Sequence, residues 1–489
     1  MSENVKINMI SISNPVGNNN IPLVVDLDGT LINTDLLFEA LILLLKKNPI
    51  FIFKILPWLF KGKVYLKNKI FGFVHLQYDL LPYNKEVLNF LEKEFSGGRK
   101  IILATASPVS AAIKISEIHP IFSEVYGTEN KLNLKGFNKL ELLINQFGEG
   151  KFDYIGNSKS DIVIFSSCRY SYLVGSNKSI EKEVKQISNL QHIWMPAKAT
   201  LKDYLKEIRA YQWIKNLLLF VPLITSHSFR SLHLWALTFV AFCTFSLVAS
   251  AGYLLNDLFD MESDRKHPRK KFRLTASGKI PILKAFILSI LFLCIGLFFA
   301  TKLNLQFFFI VLLYFLTSFS YSIFLKKIAL YDIFILAVLY SIRVFAGALV
   351  IDVYLSFWLI AFSTFIFLSL AFVKRCSELI QLKEETNLKN RGRGYDIEDI
   401  KLLEIMGIVS GFLAVVVFAL YINSPEVTRL YSNPKILWAI SFLFLFWISH
   451  IWLFTVRGKM TDDPILFAIK DRTSYFVFLF TGLLLLAAL

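Results

Sequence analysis

The residues best suited to binding or catalysis are a group of acids after an apolar segment that begins near Leu232. Asn256, Asp260 and Asp264 are spaced four apart, and Asp257 lies three residues before Asp260. On a helix, these spacings place the side-chain oxygens along one face. Carboxylates at the end of a membrane helix are costly unless they bind a cation or line a wet cavity. The sequence therefore predicts a cation site formed by these four polar residues.

The cation expected there is Mg²⁺, because carboxylate and carbonyl oxygens are its usual ligands and it often bridges them to substrate phosphates. We predict that Asp257, Asp260 and Asp264 are catalytic metal ligands, and that Asn256 adds a ligand and a substrate contact. Basic residues that could hold the anionic substrate follow, among them Arg265, Lys271 and Arg273. The alternative is a solvated helix end with a positively charged loop, but four metal-type side chains on one face favour a diphosphate site.

A second set of polar residues lies at the ends of short apolar strands predicted at 23–25, 100–105 and 152–155. The residues at or just after these strand ends are Asp26, Asp28, Thr105, Asn157 and Asp161. Open parallel sheets carry their sites at this edge. The sequence therefore predicts an α/β fold with a site at the carboxyl ends of the strands.

This second set suits the hydrolysis of a phosphate monoester. A carboxylate nucleophile needs a metal and a cation to reduce its repulsion with the phosphate, and an acid for the leaving oxygen. Asp26 and Asp28 could divide the roles of nucleophile and acid, while Thr105 could hydrogen-bond the phosphate and Lys139 could neutralise it. Two aspartates alone are weak evidence for such a site, since Asp is common after strands. The set of Asp26, Asp28, Thr105, Lys139 and Asp161 in this order along the chain is a more specific indication.

The composition of the chain indicates the class of protein that carries these two sites. The chain has 489 residues, too many for one ordinary core, and 55% are hydrophobic, with the apolar segments concentrated after about residue 211. The net charge of +16 comes from basic residues clustered between apolar segments. That pattern indicates membrane topology and an anionic substrate, and no nucleic-acid partner is expected. The four cysteines are scattered, so neither a disulfide framework nor zinc is expected.

We predict four regions along the chain. They are a disordered tail at 1–20, an α/β domain at 21–175 with a helical cap at about 36–95, a linker at 176–202, and an all-α membrane domain at 203–489. The cap includes Lys61–Lys69, a basic amphipathic stretch. The tail has no long apolar segment, so no cleavable signal peptide is expected and the α/β domain should stay in the cytosol.

About nine transmembrane spans are predicted, and the first and last are short for a bilayer core. They lie near 212–226, 232–255, 280–300, 304–325, 329–350, 354–373, 403–421, 436–456 and 473–489. Most Lys and Arg residues of the connecting loops fall on the side of the N-terminus, which by the positive-inside rule is cytoplasmic. We therefore expect a multi-pass protein of the cell (inner or plasma) membrane, in contact with membrane lipids, with its site loops in the cytoplasm.

Basic residues at the ends of the predicted spans are further candidates for substrate binding. They are Lys215, Lys326, Arg343, Lys374 and Arg375. Lys215 and Lys326 could instead anchor a helix end, and the two interpretations are about equal. Arg343 lies deeper in its span, where an arginine should face the interior of the bundle.

Four segments in residues 21–174 resemble the motifs of haloacid-dehalogenase-like (HAD) phosphatases. They are DLDGTLINTD, ILATAS, NLKGFNKLELL and YIGNSKSD. The resemblance implies a Rossmann-like fold in which Asp26 is the nucleophile that forms an aspartyl-phosphate and Asp28 is the general acid/base. It also implies that Thr105 and Lys139 contact the phosphate.

The resemblance further places Mg²⁺ between Asp26, the carbonyl of Asp28 and the fourth motif, which contains Asn157 and Asp161. That motif usually begins Gly-Asp, whereas here it begins Gly156-Asn157. Asn can ligate Mg²⁺ through its carbonyl but brings no charge, so the affinity for the metal should be lower.

The second half, from about residue 208 to the end, resembles the UbiA superfamily of membrane prenyltransferases, with NDLFDMESD as the first aspartate motif. Where a second acidic motif is usual, this chain reads VKRCSEL, with Lys374 and Arg375. Within this superfamily, the chain has a closer resemblance to the branch of decaprenyl-phosphate phosphoribosyltransferases than to the aromatic prenyltransferases. The matching segments include RAYQWIKNLLLFVPL, DRKHPRKKFR, YSIFLKKIALYD and SIRVFAGA.

These resemblances imply a two-step enzyme. The membrane domain would transfer 5-phosphoribose from phosphoribosyl diphosphate, held by Mg²⁺, to a polyprenyl phosphate, and the HAD-like domain would remove the 5-phosphate. Lys374 and Arg375 would suit an anionic acceptor. The alternative is an aromatic prenyltransferase that uses a prenyl diphosphate, with a HAD-like domain that is regulatory or acts on another substrate.

Overall fold

The computed structural model describes residues 21–129, 132–175, 177–196, 199–268, 270–384, 394–461 and 463–489. The predicted tail at 1–20 lies outside the described residues. The chain forms two compact units. The first contains the residues up to Glu207 together with Asp257–Leu288, and the second contains Ile208–Asn256 and Ser289–Leu489. Asp257, Asp260 and Asp264 are therefore grouped with the N-terminal part of the chain, and Asn256 with the second unit.

A six-stranded parallel sheet forms the centre of the first unit, in the order β3-β2-β1-β4-β5-β6. The strands are β1 (Leu23–Val25), β2 (Ile101–Pro108), β3 (Phe122–Thr128), β4 (Asp153–Gly156), β5 (Ser171–Val174) and β6 (Leu190–Trp194). The three predicted strands are β2, β1 and β4, which are neighbours. Val25 pairs with Leu103 on one side and Ile155 on the other, so the polar strand ends meet at one edge.

In the described residues up to Glu207, nine α-helices occur along the chain together with these strands. They are α1 (Leu36–Lys47), α2 (Ile52–Phe60), α3 (Lys63–Phe73), α4 (Lys85–Ser96), α5 (Val109–Ile118), α6 (Phe137–Phe147), α7 (Ile162–Phe165), α8 (Lys178–Ile187) and α9 (Leu201–Glu207). The four helices α1–α4 lie between β1 and β2, where the sequence predicts a mainly helical insertion. Asp35 begins α1 by accepting hydrogen bonds from the backbone of Leu37 and Phe38.

The sheet continues beyond residue 175, into the segment predicted as a linker at 176–202. That segment contains α8 and the edge strand β6, which pairs in parallel with β5. Ile180, Val184 and Trp194 are buried against the domain core. Their apolar side chains lie among charged and polar neighbours, which is why composition indicated a linker.

The remaining helices are mostly long and apolar. They are α10 (Val221–Thr225), α11 (Leu232–Phe259), α12 (Met261–Lys266), α13 (Ile282–Leu303), α14 (Leu305–Ile323), α15 (Tyr331–Val350), α16 (Phe357–Glu384), α17 (Ile400–Ile422), α18 (Pro425–Leu430), α19 (Leu437–Val456), α20 (Pro464–Lys470) and α21 (Arg472–Ala488). Among the described residues, seven helices are long and apolar enough to cross a membrane, or eight if α20 and α21, bent by 82°, form one span. The protein is a multi-pass membrane protein.

This number is lower than the nine spans predicted, and the difference arises at the first span. The segment 212–226 is a 3₁₀ helix, Ala210–Phe220, followed by the five-residue α10 with Pro222 in its first turn. Neither piece is a long α-helix, although the composition is apolar. The last predicted span corresponds to α21, which follows the sharp bend. Within the second unit, α15 packs against α14 and α16.

Candidate active sites

Asp26 and Lys139 form the centre of the site at the sheet edge. Asp26 directly follows β1, and Lys139 on α6 donates a 2.6 Å hydrogen bond from Nζ to its Oδ1. Both side chains are buried, and Lys139 also donates to the hydroxyl of Tyr154 at 3.1 Å. Burial raises the pKa of Asp26 to about 6 against the opposing charge of Lys139. Burial lowers the pKa of Lys139, but the charges of Asp26, Asp161 and Asp28 and the hydrogen bond to Asp26 together outweigh it, so the net shift is upward and the lysine is a fixed cation.

Asp28 is held in a different way from Asp26. Its Oδ1 accepts from the backbone N–H of Leu36 at 2.9 Å, and its Oδ2 accepts from Ser107 Oγ at 2.7 Å. Burial, followed by the charge of Asp35, raises the pKa of Asp28 to about 7. A carboxyl with this pKa can both give and take a proton near neutral pH, which is the property required of a general acid/base.

The loop after β4 is shaped by Asp161. Its Oδ1 accepts from the Tyr154 hydroxyl at 3.0 Å, and its Oδ2 accepts from the backbone N–H groups of Asn157 at 3.2 Å and Ser158 at 2.9 Å. The Asn157 side chain lies against Gly29, where an added Cβ would be 2.1 Å from its Nδ2 and φ is +73°. Gly29 therefore lets the fourth predicted motif approach the Asp28 loop.

Thr105 is fully buried at the end of the regular part of β2. Its Oγ1 accepts a hydrogen bond from the backbone N–H of Ser107 at 3.0 Å, so it fixes the same loop that holds Asp28 through the Ser107 hydroxyl. The structure thus brings all six predicted residues of this set to one edge of the sheet. Direct contact of Thr105 with a phosphate stays a prediction.

Two residues near this edge were not anticipated from the sequence. Lys67 on α3 donates from Nζ to the carbonyl of Ala106 at 2.5 Å and to Asn133 Oδ1 at 3.3 Å. Burial lowers the pKa of Lys67, and the nearby charge of Asp28 opposes this shift. In the sequence, Lys67 is one of several lysines in a surface-like stretch, so nothing distinguishes it. Tyr154 was read only as a strand residue, although its hydroxyl joins Lys139 to the Asp161 carboxylate.

The acidic segment 256–264 is not one continuous helix. The helix α11 ends at Phe259, Asp260 is a turn residue with φ −94° and ψ 2°, and α12 begins at Met261. The predicted single stripe is therefore interrupted at Asp260, whose Oδ1 lies 3.8 Å from Lys46 Nζ. Asn256 is half-buried near the end of α11.

Asp257 and Asp264 nevertheless converge, because Arg273 bridges them. Its Nη1 donates to Asp257 Oδ1 at 3.0 Å and to Asp264 Oδ2 at 2.7 Å. Both carboxylates are buried, whereas the Arg273 side chain is 30% exposed. Burial raises the pKa of Asp264 to about 6, and Arg273 opposes this shift. Two carboxylates of this segment are thus close enough to share one cation.

The other predicted basic residues of this segment lie in different environments. Arg265 donates to both oxygens of Glu39, at 3.1 and 2.6 Å, and to the carbonyl of Ala276 at 2.8 Å. Arg265 and Glu39 are both largely buried, so this is a buried ion pair. Lys271 is exposed. Glu39 was missed because it is a single acid within the apolar helix α1.

The side-chain oxygens at both sites are of the types that bind Mg²⁺. In the structure, the carboxylates are paired with basic residues. Among the described residues, no group of three or more His, Cys, Asp and Glu side chains is arranged to hold a metal. Carboxylate and amide oxygens are the ligands that Mg²⁺ prefers. The convergence of Asp257 and Asp264 on one guanidinium nitrogen shows that a cation is accommodated between them. At the sheet edge, the equivalent donors are Asp26 and the amide of Asn157.

The second unit contains a buried polar interior around Arg343. Its Nε donates to Asn216 Oδ1 and its Nη2 to the Tyr314 hydroxyl, both at 2.9 Å, and its Nη1 donates to the Leu339 carbonyl. Arg343 is 3% exposed, which confirms that it faces the interior of the bundle. Since its donors are engaged by the protein, it fixes the surrounding helices.

Lys215 forms a buried ion pair with Asp463, a residue that the sequence did not single out as part of a site. Asp463 also lies within the electrostatic reach of Lys374, which is half-buried on α16. Two predicted basic residues therefore act on the same carboxylate. Asp463 also begins α20, accepting from the backbone N–H of Ile465 at 3.1 Å. The Asp-Pro sequence at this position is a helix-start signal that could have identified it.

Arg375 differs from its neighbour Lys374 in burial. Its side chain is 1% exposed and forms ion pairs with Asp332 on α15 and Glu378 on α16. It joins two helices. Lys326 is half-buried in the 3₁₀ turn before α15. Of the two neighbours on α16, Lys374 is the more exposed.

Comparison with known proteins identifies the family. The profile of the UbiA prenyltransferase family matches residues 218–385. The y4nM protein of Sinorhizobium fredii, described as uncharacterized, is 34% identical over 459 residues, 94% of this chain and 89% of that protein. Nodulation protein NoeC of Azorhizobium caulinodans is 32% identical over 57% of this chain and 90% of that protein. The decaprenyl-phosphate phosphoribosyltransferase of Mycolicibacterium smegmatis is 31% identical over 58% of this chain and 91% of that enzyme.

The chain therefore belongs to the UbiA prenyltransferase family, a class of polytopic membrane transferases. The y4nM match is long enough to include most of both units. The similarity to that protein thus extends over the N-terminal domain of this chain as well as its membrane helices.

Proposed function

We propose that this protein transfers a 5-phosphoribosyl group from phosphoribosyl diphosphate to a polyprenyl phosphate. The bond between C1 of the ribose and the diphosphate oxygen breaks, and a bond forms between C1 and an oxygen of the lipid phosphate. Diphosphate leaves with the electron pair. The similarity to decaprenyl-phosphate phosphoribosyltransferases supports this choice of donor and acceptor.

The observation that carries the proposal is the convergence of Asp257 and Asp264 on one cation. These two carboxylates, with Asn256 and Asp260, would hold Mg²⁺ against the diphosphate of the donor. When bound, the metal supplies positive charge to the leaving diphosphate. Arg273 lies at the same carboxylates and is partly exposed, so it can turn toward the substrate phosphates.

The acceptor would be recognised by its negative charge. Lys374 replaces an acid at the position where the family usually has a second acidic motif, and Lys215 acts on the same carboxylate, Asp463. A lipid phosphate between these lysines would be held by charge and by directed hydrogen bonds. Arg343 and Arg375 would keep the helices in place, since their donors are engaged by the protein.

We further propose that the parallel-sheet domain is a HAD-like phosphatase that removes the 5-phosphate from the lipid product. An Asp26 oxygen attacks phosphorus, the bond from phosphorus to O5 breaks, and Asp28 protonates O5. Water then attacks the aspartyl-phosphate, Asp28 takes its proton, and inorganic phosphate leaves. Lys139 offsets the negative charge at Asp26. Mg²⁺ on Asp26, the Asp28 carbonyl and Asn157 would supply further positive charge.

Both reactions are proposed to take place on the cytoplasmic side of the cell membrane. The supporting observation is the concentration of Lys and Arg in the loops that share the side of the N-terminus.

The test uses purified full-length protein in lipid nanodiscs with Mg²⁺. One reaction receives phosphoribosyl diphosphate labelled in the ribose and polyprenyl phosphate. The other receives a prenyl diphosphate and 4-hydroxybenzoate. We expect label in the lipid fraction only in the first reaction. Product only in the second would overturn the proposal in favour of an aromatic prenyltransferase.

A further inference from the structure

The outer face of α2 is apolar and uncovered in the part of the chain that the structure describes. Its five residues are Ile52, Phe53, Leu56, Leu59 and Phe60, and we call them the α2 face. Their spacing repeats with the period of a helix, so they form one continuous stripe. Their exposed fractions run from 48% for Leu59 to 86% for Phe60. Soluble surfaces rarely carry a contiguous apolar stripe of this kind.

The opposite face of α2 is already used to hold the helix in place. Ile55 and Trp58 pack against the small core that α1 and α3 form around Leu44, Leu66 and Ile70. The α2 helix is therefore apolar on both faces, but only the inner one is packed. A helix that is apolar all round normally lies in a core or in a membrane. The inner contacts hold α2 against this core, and the α2 face is the side that stays exposed.

The charged residues of the sequence segment that carries the α2 face have a single sign. Residues 40–78 contain seven lysines and no Asp, Glu or Arg. Lys67 is turned toward the sheet edge and Lys46 lies by Asp260. The five others are exposed: Lys47, Lys54, Lys61, Lys63 and Lys69. Apolar residues bordered by lysines are typical of a helix that lies in the interface of an anionic membrane.

We infer that the α2 face lies in the headgroup and upper acyl region of an anionic lipid bilayer. The apolar segment Pro49–Phe60 is too short to span a membrane, which requires about 20 residues. The protein is itself a multi-pass membrane protein, so a bilayer is always present. A second copy of the chain is a poorer occupant, because two such faces would bring lysines against lysines.

The position of Lys67 gives this surface a role in the proposed phosphatase reaction, and this part rests on the proposed function. The helix α3 carries the exposed Lys63 and Lys69, while Lys67 on the same helix donates to the carbonyl of Ala106 near the end of β2. A lipid-borne phosphate monoester would therefore meet Lys67 and Asp28 from the bilayer side of the cap. A soluble phosphate ester would gain nothing from the α2 face.

The direct test measures the environment of the α2 face in full-length protein. An environment-sensitive fluorescent amino acid replaces Phe53 or Phe60 in nanodiscs that contain phosphatidylglycerol, with doxyl-labelled lipid as the quencher. Phe137 on α6 is the matched control, since it is a 73% exposed phenylalanine of the same domain. We expect several-fold stronger quenching at positions 53 and 60 than at 137.

Equal quenching at all three positions would overturn the inference. So would emission that is shielded at 53 and 60 but insensitive to doxyl-labelled lipid, because a protein or a second copy would then cover the face. Replacing Lys54 and Lys61 by Glu should lower the quenching in anionic nanodiscs. Unchanged quenching in that variant would contradict the assignment of anionic lipid.

A functional measurement separates this inference from the proposed function. Phe53→Ser with Phe60→Ser should raise the KM for the lipid phosphomonoester several-fold and leave the hydrolysis of p-nitrophenyl phosphate unchanged. An equal loss on both substrates would contradict a lipid-specific role. Absence of hydrolysis of either substrate by the unaltered protein would refute the phosphatase, and the quenching result would still decide whether the face binds lipid.

Discussion

The two acidic sites of this protein both pair carboxylates with a basic residue, but they hold that residue differently. At the sheet edge, Lys139 is 2% exposed and is fixed by Asp26 and Tyr154. In the acidic segment, Arg273 lies on a loop and is 30% exposed. The lysine is part of a packed core, whereas the arginine side chain is partly open to solvent.

This difference reflects what each site would bind. A phosphatase nucleophile needs a constant neighbouring cation throughout both of its steps, and a buried lysine on a packed helix provides it. A site for a metal diphosphate must instead release its own counter-charge when the substrate complex arrives. A partly exposed arginine suits that exchange better than a buried lysine, because its side chain can reach water when it leaves the two carboxylates.

The largest expected effect concerns the acids of the second site. Asp257→Asn should reduce transfer by about 1,000-fold, since charge stabilisation by a metal is worth several kcal/mol. The side chain keeps its size, so the protein should fold normally. Glu262→Gln, which removes the same charge from the same segment, is the control. Transfer that survives Asp257→Asn at saturating Mg²⁺ would remove the basis for the metal-diphosphate assignment.

The comparison of the two cations can be tested through stability. Lys139→Met leaves Asp26 buried without its partner and should lower the free energy of unfolding by about 3–5 kcal/mol. Arg273→Gln should lower it by less than Lys139→Met does, because the Arg273 side chain is partly solvated although Asp257 and Asp264 are buried. Thermal unfolding of both variants in detergent provides the measurement. Similar losses of unfolding free energy in the two variants would mean that Lys139 and Arg273 do not differ in how firmly the protein holds them.

Substitutions of the neighbours Lys374 and Arg375 should have different effects, the first on substrate binding and the second on stability. Lys374→Ala should raise the KM for the polyprenyl phosphate by about tenfold, the effect of one charged hydrogen bond, and leave unfolding unchanged. Arg375→Ala should mainly destabilise the protein, because Asp332 and Glu378 lose their partner. Steady-state kinetics with each substrate varied in turn give the answer. A raised KM for the donor alone in Lys374→Ala would contradict the assignment.

The smallest effect is a shift in pH dependence. Asp28, with its pKa raised to about 7, loses its proton as the pH rises through that value and can then no longer protonate O5, so kcat/KM for the phosphate ester should decline above about pH 7. Asp35→Asn removes a charge that raises this pKa and keeps a residue able to cap α1. The decline should therefore begin at a lower pH in the variant. A shift in the opposite direction would show that Asp28 is not the group that titrates.

Much of the site could be predicted because the relevant residues follow strands or share a helical spacing. The strand ends at Asp26, Thr105 and Asn157 are local features, and parallel pairing alone brings them together. The roles of Glu39 and Lys67 could not be predicted, because each depends on a partner far away in the sequence. The helix break at Asp260 was also missed, since the acids continue through it without a proline or glycine.

The central claim is that one chain performs transfer and then phosphate removal, and mass spectrometry of its lipid products tests it most directly. Purified protein receives phosphoribosyl diphosphate, polyprenyl phosphate and Mg²⁺. We predict that the unaltered protein yields the lipid without the 5-phosphate, and that Asp26→Asn accumulates the lipid that retains it at an unchanged rate of transfer. The same phosphorylated lipid from both proteins would contradict the account and indicate that the sheet domain is not a phosphatase for this product.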